Sequence, residues 1–168
     1  MGAERNVPIV SVVGLSGVGK TTALEKIVRE LKRRGYRVGT VKHDTHGFDV
    51  DKPGKDSWRH AQAGSDAVVI SGPNKVALIR QVERELALDE IAALMGDVDL
   101  VLTEGYKRGD RPKIEISRRA RGTDLLCETA ELIGLMADYP VDRPVPQFAL
   151  DDASGVVDLL EELYLVGR

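Results

Sequence analysis

Residues 7–31 read VPIVSVVGLSGVGKTTALEKIVREL, and this stretch decides the fold. Its first seven residues are apolar and β-branched nearly throughout, which is typical of a strand buried on both faces of a parallel sheet. In its second half, Leu24, Ile27, Val28 and Leu31 recur at the spacing of one helix face. The glycines between the two halves therefore mark a turn from a buried strand into an amphipathic helix.

That turn fits the pattern G-x-x-x-x-G-K-[ST] at every fixed position, from Gly14 to Thr21. Glycines there permit backbone torsions closed to other residues, so successive N–H groups can face phosphate oxygens. The helix N-terminus adds about half a positive charge. We expect Lys20 to bind the β- and γ-phosphates and to act as a catalytic group. The residues predicted to hold the phosphates are Ser16, Gly17, Val18, Gly19, Lys20, Thr21 and Thr22.

A magnesium ion bound with the phosphates needs a carboxylate from a neighbouring strand end. Residues 99–105, DLVLTEG, place Glu104 after four largely apolar residues, as a Walker B strand does. We therefore expect Mg²⁺ between the Thr21 hydroxyl and Glu104. A solvated glutamate at a strand end is the alternative interpretation.

The rest of the chain alternates strands and helices, which predicts an α/β fold with a mainly parallel sheet flanked by helices in three layers. Residues 66–71, DAVVIS, and 75–81, KVALIRQ, are separated by GPN and predict a β-hairpin extension. No repeat and no low-complexity linker interrupts the 168 residues. The sequence therefore predicts a single domain, 1–168.

Charge and cysteine content narrow the class of protein. The net charge of −3 argues against a nucleic-acid binder, but residues 1–60 carry 12 Lys and Arg against 7 Asp and Glu, which suits an anionic ligand. One cysteine, Cys127, cannot form an internal disulfide, and we expect it to be a packed thiol in a cytoplasmic protein. The first residues, MGAERN, do not resemble a signal peptide, and no apolar run is long enough to span a membrane.

A polar loop with two histidines, residues 42–58, follows the second predicted strand. Ligands gather beyond the carboxyl ends of parallel strands, so this loop is expected to reach the γ-phosphate, with Asp44 positioning the attacking water. Three interpretations of His43 and His46 stay open. They form a transition-metal site with Asp44 or Asp49, they contact phosphate or a partner, or they lie in a solvated loop.

A basic segment, residues 106–122, contains seven Lys or Arg and two acids. A solvated face explains many such runs. Arginines that bind a phosphate-bearing ligand or an acidic partner surface are the second interpretation, because a guanidinium can bind an oxyanion in two places. The sequence leaves both open.

Three segments together resemble the molybdopterin-guanine dinucleotide biosynthesis protein B family, MobB. They are GLSGVGKTT at 14–22, VKHDTHGFDVDKPGKDSWRHAQAG at 41–64 and LVLTEGYK at 100–107. The resemblance extends from Val7 to about Tyr164 and implies a P-loop NTPase-type fold that binds GTP and Mg²⁺. The family's loop pattern, with a switch or partner-binding role, maps to His43, His46, Asp49, Asp56 and Arg59.

The resemblance also implies partners. It implies a homodimer with at most slow GTPase activity, which assists a separate MobA-type nucleotidyltransferase that joins GMP to molybdopterin. Molybdopterin itself is a further candidate ligand, whereas nucleic acid and membranes are not expected.

Guanine recognition needs a residue that the common motif does not supply. Many GTPases use Asn-Lys-x-Asp, but NKVA at 74–77 lacks the aspartate. Asp138, which ends ELIGLMAD, is the predicted acceptor for guanine hydrogen bonds. Two other functions stay open: a small-molecule kinase, because GLSGVGKTT also resembles adenylyl-sulfate kinases, and a metal-delivery GTPase that uses His43 and His46.

Overall fold

The structure, a computed structural model, describes residues 7–166. Residues 1–6, on which the expectation about a signal peptide rests, lie outside that range. The chain forms two compact units, one of residues up to His43 together with Leu88 onward, and one of Asp44–Ala87. The single domain stays a prediction, and each unit is described by itself below.

The strands and helices found within residues 7–166 follow the predicted alternation. The strands are β1 (Ile9–Val13), β2 (Val38–Lys42), β3 (Ala67–Gly72), β4 (Lys75–Arg80), β5 (Leu100–Glu104), β6 (Lys113–Ser117), β7 (Leu132–Ala137) and β8 (Gln147–Phe148). The α-helices are α1 (Lys20–Arg33), α2 (Asp56–Gln62), α3 (Leu88–Ala93) and α4 (Ala153–Leu160), the last extended by a π-helical turn, Glu161–Leu165. In this range no helix is long and apolar enough to cross a bilayer.

The larger unit is built on a six-stranded sheet in the order β2-β5-β1-β6-β7-β8. Every neighbouring pair in it is parallel. All carboxyl ends of its strands therefore lie at one edge, where ligands of such sheets bind. The predicted mainly parallel sheet is confirmed.

Helices cover both faces of this sheet. On one face, α1 and α4 share a core with β1, formed by buried side chains that include Val10, Val12, Ile27, Leu31, Val156 and Leu160. On the other face, Leu88 and Ala92 of α3 pack with Ile9 and Val101. Alternate residues of β1 thus enter opposite cores, which is why its sequence is apolar nearly throughout. The predicted three-layer arrangement is confirmed.

The smaller unit contains α2 and an antiparallel hairpin of β3 and β4. Gly72 pairs with Lys75 across the turn, so the predicted hairpin is confirmed. Val69 lies opposite Leu78, and Ser71 lies opposite Val76. Since side chains alternate along a strand, these residues share one face of the hairpin. Its three apolar side chains are all exposed, Val76 by 67%.

Candidate nucleotide-binding site

The glycine-rich turn joins β1 to α1 in the predicted conformation. Gly14, Gly17 and Gly19 have φ of +148°, +77° and +98°, which L side chains rarely adopt. Gly14 is also confined by its neighbour, because a side chain there would collide with the carbonyl oxygen of Ile116 in β6. The turn therefore lies directly against the adjacent strand, at the ligand-binding edge of the sheet.

Backbone donors of this turn are available to a ligand. Gly19 is the N-cap of α1 and provides no side-chain hydrogen bond to the helix. The hydrogen bonds within residues 7–166 leave the N–H groups of Gly17 and Gly19 without an acceptor. Unused donors at the N-terminus of a 14-residue helix favour an anion there.

Lys20 lies over the same turn. Its Nζ donates to the carbonyl oxygens of Gly14, at 3.1 Å, and Leu15, at 2.9 Å. These bonds fold the side chain back toward the glycines, so the ammonium lies next to the backbone that is predicted to enclose the phosphates. Its contact with phosphate stays a prediction.

Thr21 and Glu104, the predicted magnesium ligands, lie side by side. The Thr21 hydroxyl is 2.9 Å from Oε1 and 3.0 Å from Oε2 of Glu104. Sheet pairing fixes this position, because Val12 is in register with Glu104 and accepts a hydrogen bond from the N–H of Gly105 at 3.2 Å. A hydroxyl and a carboxylate are the hard oxygen donors that Mg²⁺ uses when phosphates and water supply its other ligands. The donor set fits magnesium.

An aromatic pair supports the end of β5. The rings of His43 and Tyr106 stack at 4.2 Å between centroids and 16° between planes. Tyr106 has φ of +55°, the one positive value for a residue other than glycine in the described range. The N–H of His43 also donates to the carbonyl of Glu104 at 3.0 Å. The sequence suggested no such role for Tyr106; its only signal is its position after Glu-Gly at a strand end.

Asp138 follows β7, two strands from β1 at the same edge of the sheet. Its Oδ1 accepts a hydrogen bond from the N–H of Arg119 at 2.8 Å. The side chain is exposed, and Oδ2 accepts no hydrogen bond from the part of the chain that is described. Its role in reading guanine stays a prediction.

The other loop residues belong to the smaller unit. Asp44 Oδ1 accepts from the N–H of His46 at 2.8 Å, so this carboxylate is engaged in a local turn. Asp56 and Arg59 lie on α2 as an exposed pair with 3.9 Å between Oδ1 and Nη1, and Asp49 is exposed in the loop. The roles predicted for these residues stay predictions. In residues 7–166 no three His, Cys, Asp or Glu side chains are grouped to hold a metal ion.

Cys127 is buried, in agreement with a packed thiol. Burial, and then the nearby Glu115 carboxylate, raise the pKa of this thiol to about 12. Glu115 is itself held by the N–H groups of Leu126 and Cys127, at 2.7 and 3.1 Å. The thiol therefore stays protonated at neutral pH and is a poor nucleophile.

Two arginines of the basic segment reach the glycine-rich turn between β1 and α1. Arg118 Nε donates to the carbonyl of Val18 at 3.1 Å, and the Arg121 guanidinium lies against Gly17. The sequence pointed to the segment as a whole. It did not single out these two residues.

Comparisons with known proteins agree with this geometry. Residues 9–138 match the family model "Molybdopterin guanine dinucleotide synthesis protein B", MobB. The molybdopterin-guanine dinucleotide biosynthesis adapter protein of Haemophilus influenzae is 33% identical over 160 residues, which cover 94% of this chain and 90% of that protein. The Escherichia coli protein of the same name is 33% identical over 168 residues, with 96% of each chain covered.

Solved structures extend the likeness to the fold. The crystal structure of Bacillus subtilis MobB superposes on this chain with a TM-score of 0.73 and 28% sequence identity. The superposition covers 96% of this chain and 99% of that chain. The resemblance carried by the three sequence segments is thereby confirmed. This chain belongs to the MobB family.

Proposed function

We propose that this chain is a GTP-binding adapter of molybdopterin-guanine dinucleotide biosynthesis that assists a MobA-type nucleotidyltransferase. The adapter role is the one stated in the names of its relatives. The observation that supports nucleotide binding is the contact between Thr21 and Glu104 beside a glycine turn with unused N–H donors. Together, the adapter role and this geometry support a protein whose functional state depends on a bound nucleotide.

Each residue of the site has a defined task in this proposal. The N–H groups of Gly17 and Gly19 bind phosphate oxygens, and Lys20 neutralises part of their charge. Thr21 and Glu104 would hold Mg²⁺, which would neutralise part of the phosphate charge. Ser16, Val18 and Thr22 complete the enclosure.

GTP hydrolysis in this proposal is slow. Asp44 is the residue assigned to orient the attacking water, but its Oδ1 is engaged by the N–H of His46. That hydrogen bond holds Asp44 in a local turn, while its second oxygen, Oδ2, accepts no hydrogen bond from residues 7–166. The slow rate in this proposal rests on the resemblance to the MobB family.

A second copy of this chain is the proposed partner of the hairpin. The face formed by Val69, Val76 and Leu78 is apolar and exposed. A two-stranded hairpin has only marginal stability in water, and exposed apolar patches mark surfaces that another chain covers. We assign the homodimer contact to this face.

Calorimetry tests the proposal directly. The chain is titrated with GTP and with ATP in the presence of Mg²⁺, and then mixed with a MobA-type nucleotidyltransferase for sizing by light scattering. Tighter binding of GTP and a complex with the nucleotidyltransferase are expected. Absence of any guanine-nucleotide binding would falsify the proposal. Preference for ATP, with ATP consumed only after an acceptor is added, would instead identify a small-molecule kinase.

A further inference from the structure

The connector from β6 to β7 brings two guanidinium groups onto the glycine-rich loop between β1 and α1, which is proposed to bind phosphate. Arg118 Nε donates to the carbonyl of Val18 at 3.1 Å. A methyl group placed on Gly17 would lie 2.8 Å from Nη2 and 3.0 Å from Cζ of Arg121. The Arg121 guanidinium therefore rests directly on the loop backbone, where Gly17 has no side chain.

These two arginines are engaged differently. Arg118 is fixed by the Val18 carbonyl, whereas the Arg121 guanidinium makes no hydrogen bond or ion pair with residues 7–166. Arg121 is also exposed, so a ligand can reach it. Its guanidinium stays charged at any ordinary pH and presents several N–H donors in a planar fork. Such a group, held against a loop with unused amides, is suited to a phosphate oxygen.

Contacts on both sides of the 3-10 turn Arg119–Arg121 fix its position. The Arg121 N–H donates to the carbonyl of Arg118 at 2.8 Å, and Asp138 accepts from the N–H of Arg119. The Arg119 guanidinium instead lies over the ring of Tyr139, 5.2 Å from its centroid. Of the three arginines in this stretch, two therefore face the loop and one faces away.

The charges around the loop match a polyanion. Lys20, Arg118 and Arg121 are three cations there, and Glu104 is the one carboxylate hydrogen-bonded to the loop-adjacent Thr21. These three positive groups suit a chain of phosphates with its bound magnesium.

We propose that Arg121 is a phosphate-contacting residue of the nucleotide site, and that Arg118 is a positioning residue that holds the turn so that Arg121 faces the phosphates. This inference rests on the proposed function and deepens its nucleotide site. The Arg121 guanidinium lies on the loop. When nucleotide binds, its N–H groups donate to non-bridging phosphate oxygens.

Titration calorimetry of four variants, each checked for folding by circular dichroism, tests the inference. The variants are Arg121→Ala, Arg118→Ala, the double variant, and Arg119→Ala as a control that removes one equal charge from the same turn. The ligands are GTP with Mg²⁺ and inorganic triphosphate with Mg²⁺, because the second has no base or ribose.

Arg121→Ala is expected to weaken the binding of both ligands about tenfold to a hundredfold, which is the effect of losing one hydrogen-bonded charge. Arg119→Ala is expected to stay within about twofold, since it removes only a screened surface charge. The double variant should bind within about twofold of Arg121→Ala alone, because Arg118 acts through Arg121 and otherwise contributes only a screened charge.

Three results would overturn the inference. The first is an Arg121→Ala protein whose affinity for both ligands stays within about twofold of the parent protein. The second is a loss of affinity for GTP in Arg121→Ala without a loss of affinity for inorganic triphosphate. The third is an equal loss of affinity in Arg119→Ala. Additive losses in the double variant would remove the positioning role of Arg118. If the parent protein binds triphosphate but shows no preference for GTP, guanine specificity fails while the arginine test on triphosphate still stands; if it binds neither ligand, both fail.

Discussion

The hydroxyl of Thr21 lies 2.9 Å from Oε1 and 3.0 Å from Oε2 of Glu104, although 83 positions separate the two residues in the sequence. The contact exists because β5 pairs with β1, so that the end of one strand lies beside the loop that leaves the other. One oxygen donor comes from a helix N-terminus and the other from a strand end. A magnesium ion held between them would be fixed relative to the phosphates.

Replacing Glu104 by Gln is expected to make GTP binding nearly insensitive to magnesium. Glutamine keeps the shape of the side chain but removes the charge that favours Mg²⁺ over water. GTP affinity is measured by calorimetry with Mg²⁺ and with EDTA. Glu25→Gln, an exposed position on α1, is the control for loss of a carboxylate. An unchanged magnesium dependence in Glu104→Gln would remove this residue from the metal site.

Loss of the Lys20 ammonium is expected to affect ligand binding more than folding. Lys20→Ala should weaken GTP by about 1.5–3 kcal/mol, the value of a charge-assisted hydrogen bond, and should lower the free energy of unfolding by about 1 kcal/mol or less. Calorimetry and urea unfolding measure the two quantities. Arg29→Ala removes a positive charge from the exposed side of the same helix and is the matched control. Equal losses of affinity in the two variants would contradict a specific role for Lys20.

The choice between GTP and ATP is expected to depend on Asp138. Asp138→Ala should bring the two affinities to within about threefold, because a carboxylate that accepts from the guanine edge discriminates by about 1–3 kcal/mol. Asp138→Asn separates the recognition of guanine from the hydrogen bond that Asp138 accepts within the protein. Its amide oxygen can still accept from the N–H of Arg119, whereas its NH₂ group is a donor. If Asp138→Ala retains the full preference for GTP, another residue reads the base.

Much of the site could be predicted from the sequence because its conformation depends on local features. The alternation of packing in β1, the three glycines and Lys20 follow from periodicity and from backbone torsions, and the structure confirms the conformation that they predict. The position of Glu104 at the end of β5 was also predicted, since an acid after a buried run marks a strand end.

The rest depends on contacts that no local pattern encodes. Seven Lys or Arg lie between residues 106 and 122, and which of them reach the loop is set by the approach of β6 to Gly14. Arg118 and Arg121 could not be separated from their neighbours by spacing or charge. The stack of Tyr106 on His43 depends in the same way on the pairing of β2 with β5.

The hairpin is expected to form the homodimer contact. Val76→Lys places a charge on the exposed apolar face and should raise the dimer dissociation constant about thirtyfold, which corresponds to about 2 kcal/mol of lost apolar burial. Asn74→Lys adds the same charge in the turn and serves as the control. Sedimentation velocity over a concentration series measures both. A Val76→Lys protein that dimerises as tightly as Asn74→Lys would assign the contact to another surface.

Cys127 is expected to resist alkylation in the folded protein. With its pKa raised to about 12, the thiolate is scarce at pH values near 8, and the side chain is also buried. Iodoacetamide should therefore react about a hundredfold or more slowly with the native protein than with the urea-unfolded chain, and the native rate should rise with pH. Mass spectrometry follows the modification. Rapid native labelling at neutral pH would show an accessible, activated thiol.

The most direct test of the central claim is a crystal structure of the chain with GTP and Mg²⁺. We predict that the triphosphate lies within the amides of residues 16–22, with Lys20 on the phosphates and the metal ion between Thr21 and Glu104. A loop that stays empty at saturating GTP, or one that remains occupied by the Lys20 and Arg121 side chains while GTP binds elsewhere, would contradict it.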